Sequence, residues 1–179
     1  MKPNILKTIN GVLDSRGLTP LLGGGWAVGH HGYPRFTQDI DFIFSSDDKA
    51  KVISAMKDVQ CQSTFDLPVA TRFVHGDLSV PAIDALWIEP KSYQRLLSNA
   101  ATDPGDSRMK IIAVGDLMAM KLHSLHARDE RGDRDEEDIK QLIRANEDKV
   151  AFPDYLAMVE KYAPEELCQR LQKYHPAAP

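Results

Sequence analysis

Asp39 and Asp41 stand two residues apart in Thr37-Gln38-Asp39-Ile40-Asp41-Phe42-Ile43-Phe44. The β-branched and aromatic content of this run predicts a strand. Alternate side chains of a strand share a face, so the two carboxylates point the same way, with Ile40, Phe42 and Phe44 as their apolar partners. Two adjacent anions repel one another unless a positive charge lies between them. A divalent metal with oxygen ligands is the natural counter-charge. Just upstream, Gly23-Gly24-Gly25-Trp26 is a glycine turn suited to close approach by a phosphate. The two features together point to metal-dependent chemistry on nucleotide phosphates.

A third acid, Asp84, lies in the otherwise apolar segment Ala82 to Ile88. An aspartate there is costly to bury unless it is paired or metal-bound. If its strand lies beside the Asp39–Asp41 strand, three carboxylates converge. Such a trio holds two magnesium ions, which stabilise the attacking and leaving oxygens of an in-line displacement at phosphorus. The plainer alternative is that Asp84 begins a turn or caps a loop. The glycines also allow more than one reading. Backbone N–H groups at the start of a helix form an anion site, whereas a tight turn needs glycine with no ligand at all. A loosened dinucleotide fingerprint, Gly23-x-Gly25-x-x-x-Gly29, is discounted because Gly32 and Pro34 cut the following helix short and repeated strand–helix alternation is missing.

These residues need a scaffold. Ile5, Leu6, Ile9, Val12 and Leu13 recur at helical spacing, predicting a helix over 4–15 that ends at Gly17 and Pro20. Leu21-Leu22 reads as a short strand entering the glycine turn, and residues 26–31 as a short helix after it. A helix over 47–59 follows the aspartate strand, capped by Ser46 or Asp47. Residues 64–88 read as antiparallel strands: 71–74, 78–80 and 82–88. A polar loop over 102–107 precedes a last short strand over 109–113. From Asp116 onward the pattern is helical, over 116–127, 135–145, 152–161 and 164–173, with Pro153 and Pro164 at first-turn positions and Asp133 or Asp135 as an N-cap. The tail from Pro176 is expected to fray.

The chain has 179 residues, 42% of them hydrophobic and 27% charged, with a formal net charge of -4. That composition supports a real core and argues against a broadly basic nucleic-acid surface. Only two cysteines occur, Cys61 and Cys168, so a disulfide framework is not expected and a reducing cytoplasm is. No apolar run reaches 18 residues, and the first 22 residues do not resemble a signal peptide. His123 and His126 share a helix face, and His30-His31 lie near the glycine turn, but no third ligand has a spacing suited to zinc.

Gly24-Gly25-Trp26-Ala27-Val28, followed by His31-Gly32, Arg35, Thr37 and Asp39-Ile40-Asp41-Phe42, resembles the signature of the DNA polymerase β-like nucleotidyltransferase superfamily. The match is nearest to its minimal bacterial branch, which includes AbiEii-type toxins and relatives of aminoglycoside and lincosamide nucleotidyltransferases. The specific block covers about residues 22–44. A weaker match runs on through Asp84, Asp116-Leu117-x-x-x-Lys121 and Arg131-x-x-x-Asp135-x-x-Asp138-Ile139.

The resemblance implies an α+β fold: a nucleotidyltransferase core over 1–113 with a mixed sheet and flanking helices, and a helical C-terminal region over 114–179. It implies transfer of a nucleoside monophosphate from a nucleoside triphosphate, such as ATP, to an acceptor hydroxyl, with release of pyrophosphate. Asp39, Asp41 and Asp84 would bind two magnesium ions, and Asp84 would help activate the acceptor. Gly24 and Gly25 would cradle the triphosphate. Gly25 stands where many members have serine, so the backbone contact is kept and the hydroxyl is not. Arg35 and Thr37 precede the strand and would face the nucleotide; a surface salt bridge is the alternative for Arg35. Lys121, among apolar helix residues, would meet either the triphosphate or a structural carboxylate, or simply extend to solvent. The mixed-charge run from Arg128 to Asp138 reads as a solvated helix start, or, by resemblance, as a site where Asp135 and Asp138 pair with basic residues. The acceptor stays open among a small molecule, a tRNA and a protein. The second functional reading is a binding module on the same fold, such as one half of a toxin–antitoxin pair.

Overall fold

The computed structural model describes residues 3–127 and 130–178. Arg128, at the head of the mixed-charge run, lies outside them. The chain divides into two units. The first comprises residues 1–27 and 36–113 and the second residues 28–35 and 114–179.

The first unit is built on one seven-stranded sheet. Its strands are β1 (Leu21–Leu22), β2 (Asp39–Ser45), β3 (Cys61–Asp66), β4 (Ala70–His75), β5 (Ala82–Ile88), β6 (Ala101–Asp103) and β7 (Asp106–Ile111), in the order β3-β4-β5-β2-β1-β7-β6. β2 runs parallel to β5 and β1 parallel to β7. The remaining neighbours are antiparallel, so the sheet is mixed. β5 alternates strictly, with Ile83, Ala85 and Trp87 buried and Asp84 half-buried. In β2 the residues after Asp41 are buried on both faces, as expected of a central strand.

Three helices complete this unit: α1 (Pro3–Asp14), α3 (Lys49–Asp58) and α4 (Pro90–Asn99). α1 buries Ile9 and Leu13, the stripe its spacing predicted. It also buries Asn10, whose Nδ2 donates to Asp106 Oδ2 at 3.1 Å. Asp106 in turn accepts from Arg108 Nε and Nη2 at 2.8 and 2.9 Å.

Several expectations need correction. Residues 78–80 form a turn in place of a strand: Ser79 and Val80 donate to the Oδ1 and carbonyl of Asp77, and Leu78 is exposed. The polar loop over 102–107 is the tip of the β6–β7 hairpin, where Gly105 N–H caps Asp103 Oδ1. α4 was not foreseen, although Glu89 caps Ser92 N–H, Pro90 opens the first turn, and Tyr93 and Leu96 are buried three residues apart. Ser45, one residue before the expected cap, accepts from Asp47 N–H and opens a 3₁₀ turn that leads into α3.

The second unit carries α5 (Val114–Ser124), α6 (Glu130–Ala145), α7 (Phe152–Tyr162) and α8 (Glu165–Gln172). A further helix, α2 (Gly24–His30), is cut by the boundary between the units at Ala27. α6 starts at Glu130, so Asp133 and Asp135 lie inside it and are not N-caps. Pro164 is the residue before α8, not part of its first turn. Tyr155 is fully buried and donates to Leu171 O at 2.8 Å, tying α7 to α8. The segment after α8 forms a turn, in which Ala178 N–H meets His175 O.

The Arg108 hydrogen bond holds the Asp106 carboxyl down at about 2. A carboxylate whose pKa is lower in the folded than in the unfolded chain adds stability that is complete above the ordinary aspartate value of about 4. That stability is lost as the pH falls toward 2. Asp106→Asn should therefore lower the urea midpoint near neutral pH. The gap from wild type should close between about pH 4 and pH 2.

Candidate active site

The pairing of β2 with β5 decides where the acids meet. Asp41 lies opposite Asp84 and Asp39 opposite Ala82 in the parallel ladder. Alternation then places Asp39, Asp41 and Asp84 on one face, all half-buried. The strand adjacency that the convergence of the three acids required is present. Thr37 Oγ1 donates to Asp39 Oδ1 at 3.1 Å, and Trp26 Nε1 donates to Asp39 O at 2.9 Å. Both contacts fix the start of β2.

The glycine turn is locked to Asp41. Gly23 N–H donates to Asp41 O at 2.8 Å, and Gly23 O accepts from Ala27 N–H to begin α2. Gly24 has φ +52°, and a Cβ there would lie 1.7 Å from Asp41 Oδ2. Glycine is thus required twice at this position, by the left-handed backbone and by the carboxylate seated against it. Gly25 follows in the first turn of α2.

Sequence reasoning missed Arg72. It lies on β4, opposite Asp84 across the antiparallel β4–β5 ladder. Its Nη1 is 3.5 Å from Asp84 Oδ2 and its Nη2 is 3.6 Å from Asp39 Oδ2. One guanidinium therefore spans two of the three acids. Its signal in the sequence was a lone cation in the strand Thr71-Arg72-Phe73-Val74, next in the hairpin to the strand holding Asp84. Among the described residues, no three His, Cys, Asp or Glu side chains are gathered as a group that could hold a metal ion. The donor chemistry of Asp39, Asp41 and Asp84 nonetheless fits a hard divalent cation, and a resident cation already bridges two of them.

Arg35 and Lys121 belong to the second unit, where they share a carboxylate. Arg35 Nε and Nη2 donate to the two oxygens of Asp138 at 2.7 Å each. Lys121 Nζ lies 2.7 Å from Asp138 Oδ2 and 2.7 Å from Asp135 Oδ1. Ser124 Oγ adds a short hydrogen bond to Asp135. Asp138 is 1% exposed. Burial alone would raise its carboxyl, but the Arg35 hydrogen bond and the Lys121 charge outweigh burial and hold it below the usual range. Asp135 and Asp138 thus pair with basic residues, and Lys121 is buried against both carboxylates. Nearby, Asn146 Nδ2 donates to His31 O at 2.8 Å, and Gly32, at φ +100°, closes the α2 turn.

The family model described as aminoglycoside-2''-adenylyltransferase matches residues 5–92, just under half of the chain and the part that holds all three aspartates. No curated protein matches the chain by sequence. Among solved structures, ANT(2'')-Ia in complex with adenylyl-2''-tobramycin is 14% identical with a TM-score of 0.67, over 90% of this chain and 99% of that one. The lincosamide antibiotic adenylyltransferase LnuA, lincomycin-bound, is 18% identical with a TM-score of 0.55, over 78% and 96%. An antigenic nucleotidyltransferase-like protein from Paracoccidioides brasiliensis is 15% identical with a TM-score of 0.55, over 97% and 92%. At such identities the likeness establishes the fold, which is nucleotidyltransferase-type. The resemblance to the DNA polymerase β-like superfamily is borne out, and the family match sets the chain beside the aminoglycoside nucleotidyltransferases. Among the described residues, no helix is long and apolar enough to cross a membrane.

Two outcomes are expected. Gly24→Ala should push Asp41 out of place and lower the unfolding temperature measured by calorimetry, because a Cβ there meets the Asp41 carboxylate and the backbone is left-handed. Asp138→Asn takes a partner from buried Lys121 and half-buried Arg35 and should cost about 3 kcal/mol at neutral pH by chemical denaturation. Because the Asp138 pKa is lower in the folded chain, that cost should shrink as the pH falls below about 4.

Proposed function

We propose that the protein transfers a nucleoside monophosphate from a nucleoside triphosphate to the hydroxyl of a small molecule. The observation that carries this reading is the Asp41–Asp84 pairing on adjacent parallel strands, with Asp39 on the same face and the Gly24 turn seated against Asp41. The adenylyltransferase family match and the two adenylyltransferase structures of the same fold favour ATP as the donor. Those two structures contain antibiotic ligands or products, which favours a small acceptor over a tRNA or a protein.

Asp39, Asp41 and Asp84 are the residues that would hold magnesium, as two ions. Bound there, magnesium supplies charge neutralisation for the phosphates and the reacting oxygens. The chain's own residues do the rest. Gly24 and Gly25 present backbone N–H groups, with no side chain in the way, to the triphosphate. Asp84 accepts the proton of the acceptor hydroxyl, whose oxygen forms the new bond to the α-phosphorus. The bond from that phosphorus to the β-phosphate oxygen breaks, and pyrophosphate leaves. Thr37 serves through Asp39, which its hydroxyl orients. Arg35 and Lys121 spend donors on Asp138 and Asp135, so in this reading they brace their own unit and the phosphates fall to the glycine turn.

The test is transfer from radiolabelled ATP with magnesium, using tobramycin and lincomycin as first acceptors and pyrophosphate release as a second readout. Asp41→Asn should lower the rate by at least about two orders of magnitude while leaving the thermal unfolding transition cooperative. An active Asp41→Asn protein would falsify the reading.

A further inference from the structure

Two of the arginine–carboxylate arrangements among the described residues are of opposite build. Arg35 grips Asp138 through two bonds of 2.7 Å, and Asp138 is buried. Arg72 meets Asp84 and Asp39 only at 3.5 and 3.6 Å, and its side chain is 38% exposed. The first arrangement is built to stay. The second is loose and solvated, and a pair of that kind holds weakly. Yet Arg72 is not placed at random: the β4–β5 ladder fixes its backbone opposite Asp84, which leaves its guanidinium within reach of Asp84 and Asp39.

From this geometry we infer that Arg72 is the resident counter-cation of the aspartate site and competes with the divalent metal for Asp39 and Asp84. The inference rests on the metal-dependent reading above. Without metal, the guanidinium offsets part of the charge of three acids on one face. A divalent ion entering between Asp39 and Asp84 meets a like charge, so the guanidinium must swing toward solvent before the ion can settle. Arg72 therefore keeps metal affinity low in the nucleotide-free protein. A triphosphate brings the negative charge that tips the balance, and metal loads together with substrate. Arg72 is thus a positioning residue that acts through the carboxylates.

Manganese binding to the nucleotide-free protein, followed by electron paramagnetic resonance of the free ion, tests this without turnover. Arg72→Gln should bind manganese about tenfold more tightly than wild type at low salt. The gain should shrink toward unity near 1 M salt, where charges a few ångströms apart are screened. Arg72→Lys keeps the charge and should stay close to wild type. Arg72→Met, of similar length without charge, should match Arg72→Gln and guards against a folding defect peculiar to one variant. A purely structural salt bridge would lower the unfolding temperature of Arg72→Gln and leave manganese affinity unchanged. Unchanged or weaker binding in Arg72→Gln and Arg72→Met, with wild-type binding abolished by Asp41→Asn, overturns the inference and leaves the metal reading intact. Absence of Asp41-dependent manganese binding in every variant overturns both.

Discussion

Three like charges on one face of two parallel strands form the constraint around which the first unit is arranged. The β2–β5 register sets Asp41 against Asp84, and such a pair is tolerable only with positive charge at hand. A slip of one residue would turn the acids of β2 onto the opposite face, where Ile40 and Phe42 are completely buried. The register is therefore held by both faces at once, one apolar and one anionic. The glycine turn belongs to the same constraint. Gly24 can carry no Cβ because Asp41 occupies that space, and Gly23 secures its own backbone to Asp41 O.

The aspartate face of the first unit and the Asp138 cluster of the second treat charge differently, and the difference is informative. In the second unit, Asp138 is sealed among Arg35 and Lys121 with short contacts from both. Removing water from such a group is costly, so it persists only when its partners satisfy it fully. On the aspartate face the three acids stay half-exposed and Arg72 stands off from Asp39 and Asp84. A site that must exchange its counter-ion cannot be built like Asp138. Burial and short bonds make an ion pair permanent, whereas partial exposure keeps the alternatives close in free energy.

Much of this was legible because the informative residues are also the locally strong ones. Glycine clusters, a β-branched strand and an aspartate in an apolar run announce themselves without tertiary context. α1, β1, β2 and the C-terminal helices followed from local composition and spacing. The failures have separate causes. β3 has one buried residue, Cys61, and five exposed ones, so it carries no alternating signal and exists because β4 offers it a partner. Residues 78–80 had a strand-like composition, but Asp77 took their N–H groups into a turn. The helix α4 was readable from Glu89, Pro90 and the Tyr93–Leu96 spacing, and was passed over. Arg72 could not be weighed without the β4–β5 pairing, since its meaning lies entirely in which residue stands across from it.

The same division explains how structures at 14–18% identity share this architecture. What the proposed phosphate chemistry would require is small: a turn free of Cβ atoms, two acids two residues apart and one more on the adjacent parallel strand. Those demands fall on about twenty residues before and within β2 and on one position in β5. Everything else needs only to keep the register, which many hydrophobic combinations do equally well. A fold of this kind therefore carries its donor chemistry in the sheet while acceptor contacts vary freely around it. In the proposed reading the acids and glycines would act on the triphosphate, and the acceptor would be met by residues that the sheet leaves free to change.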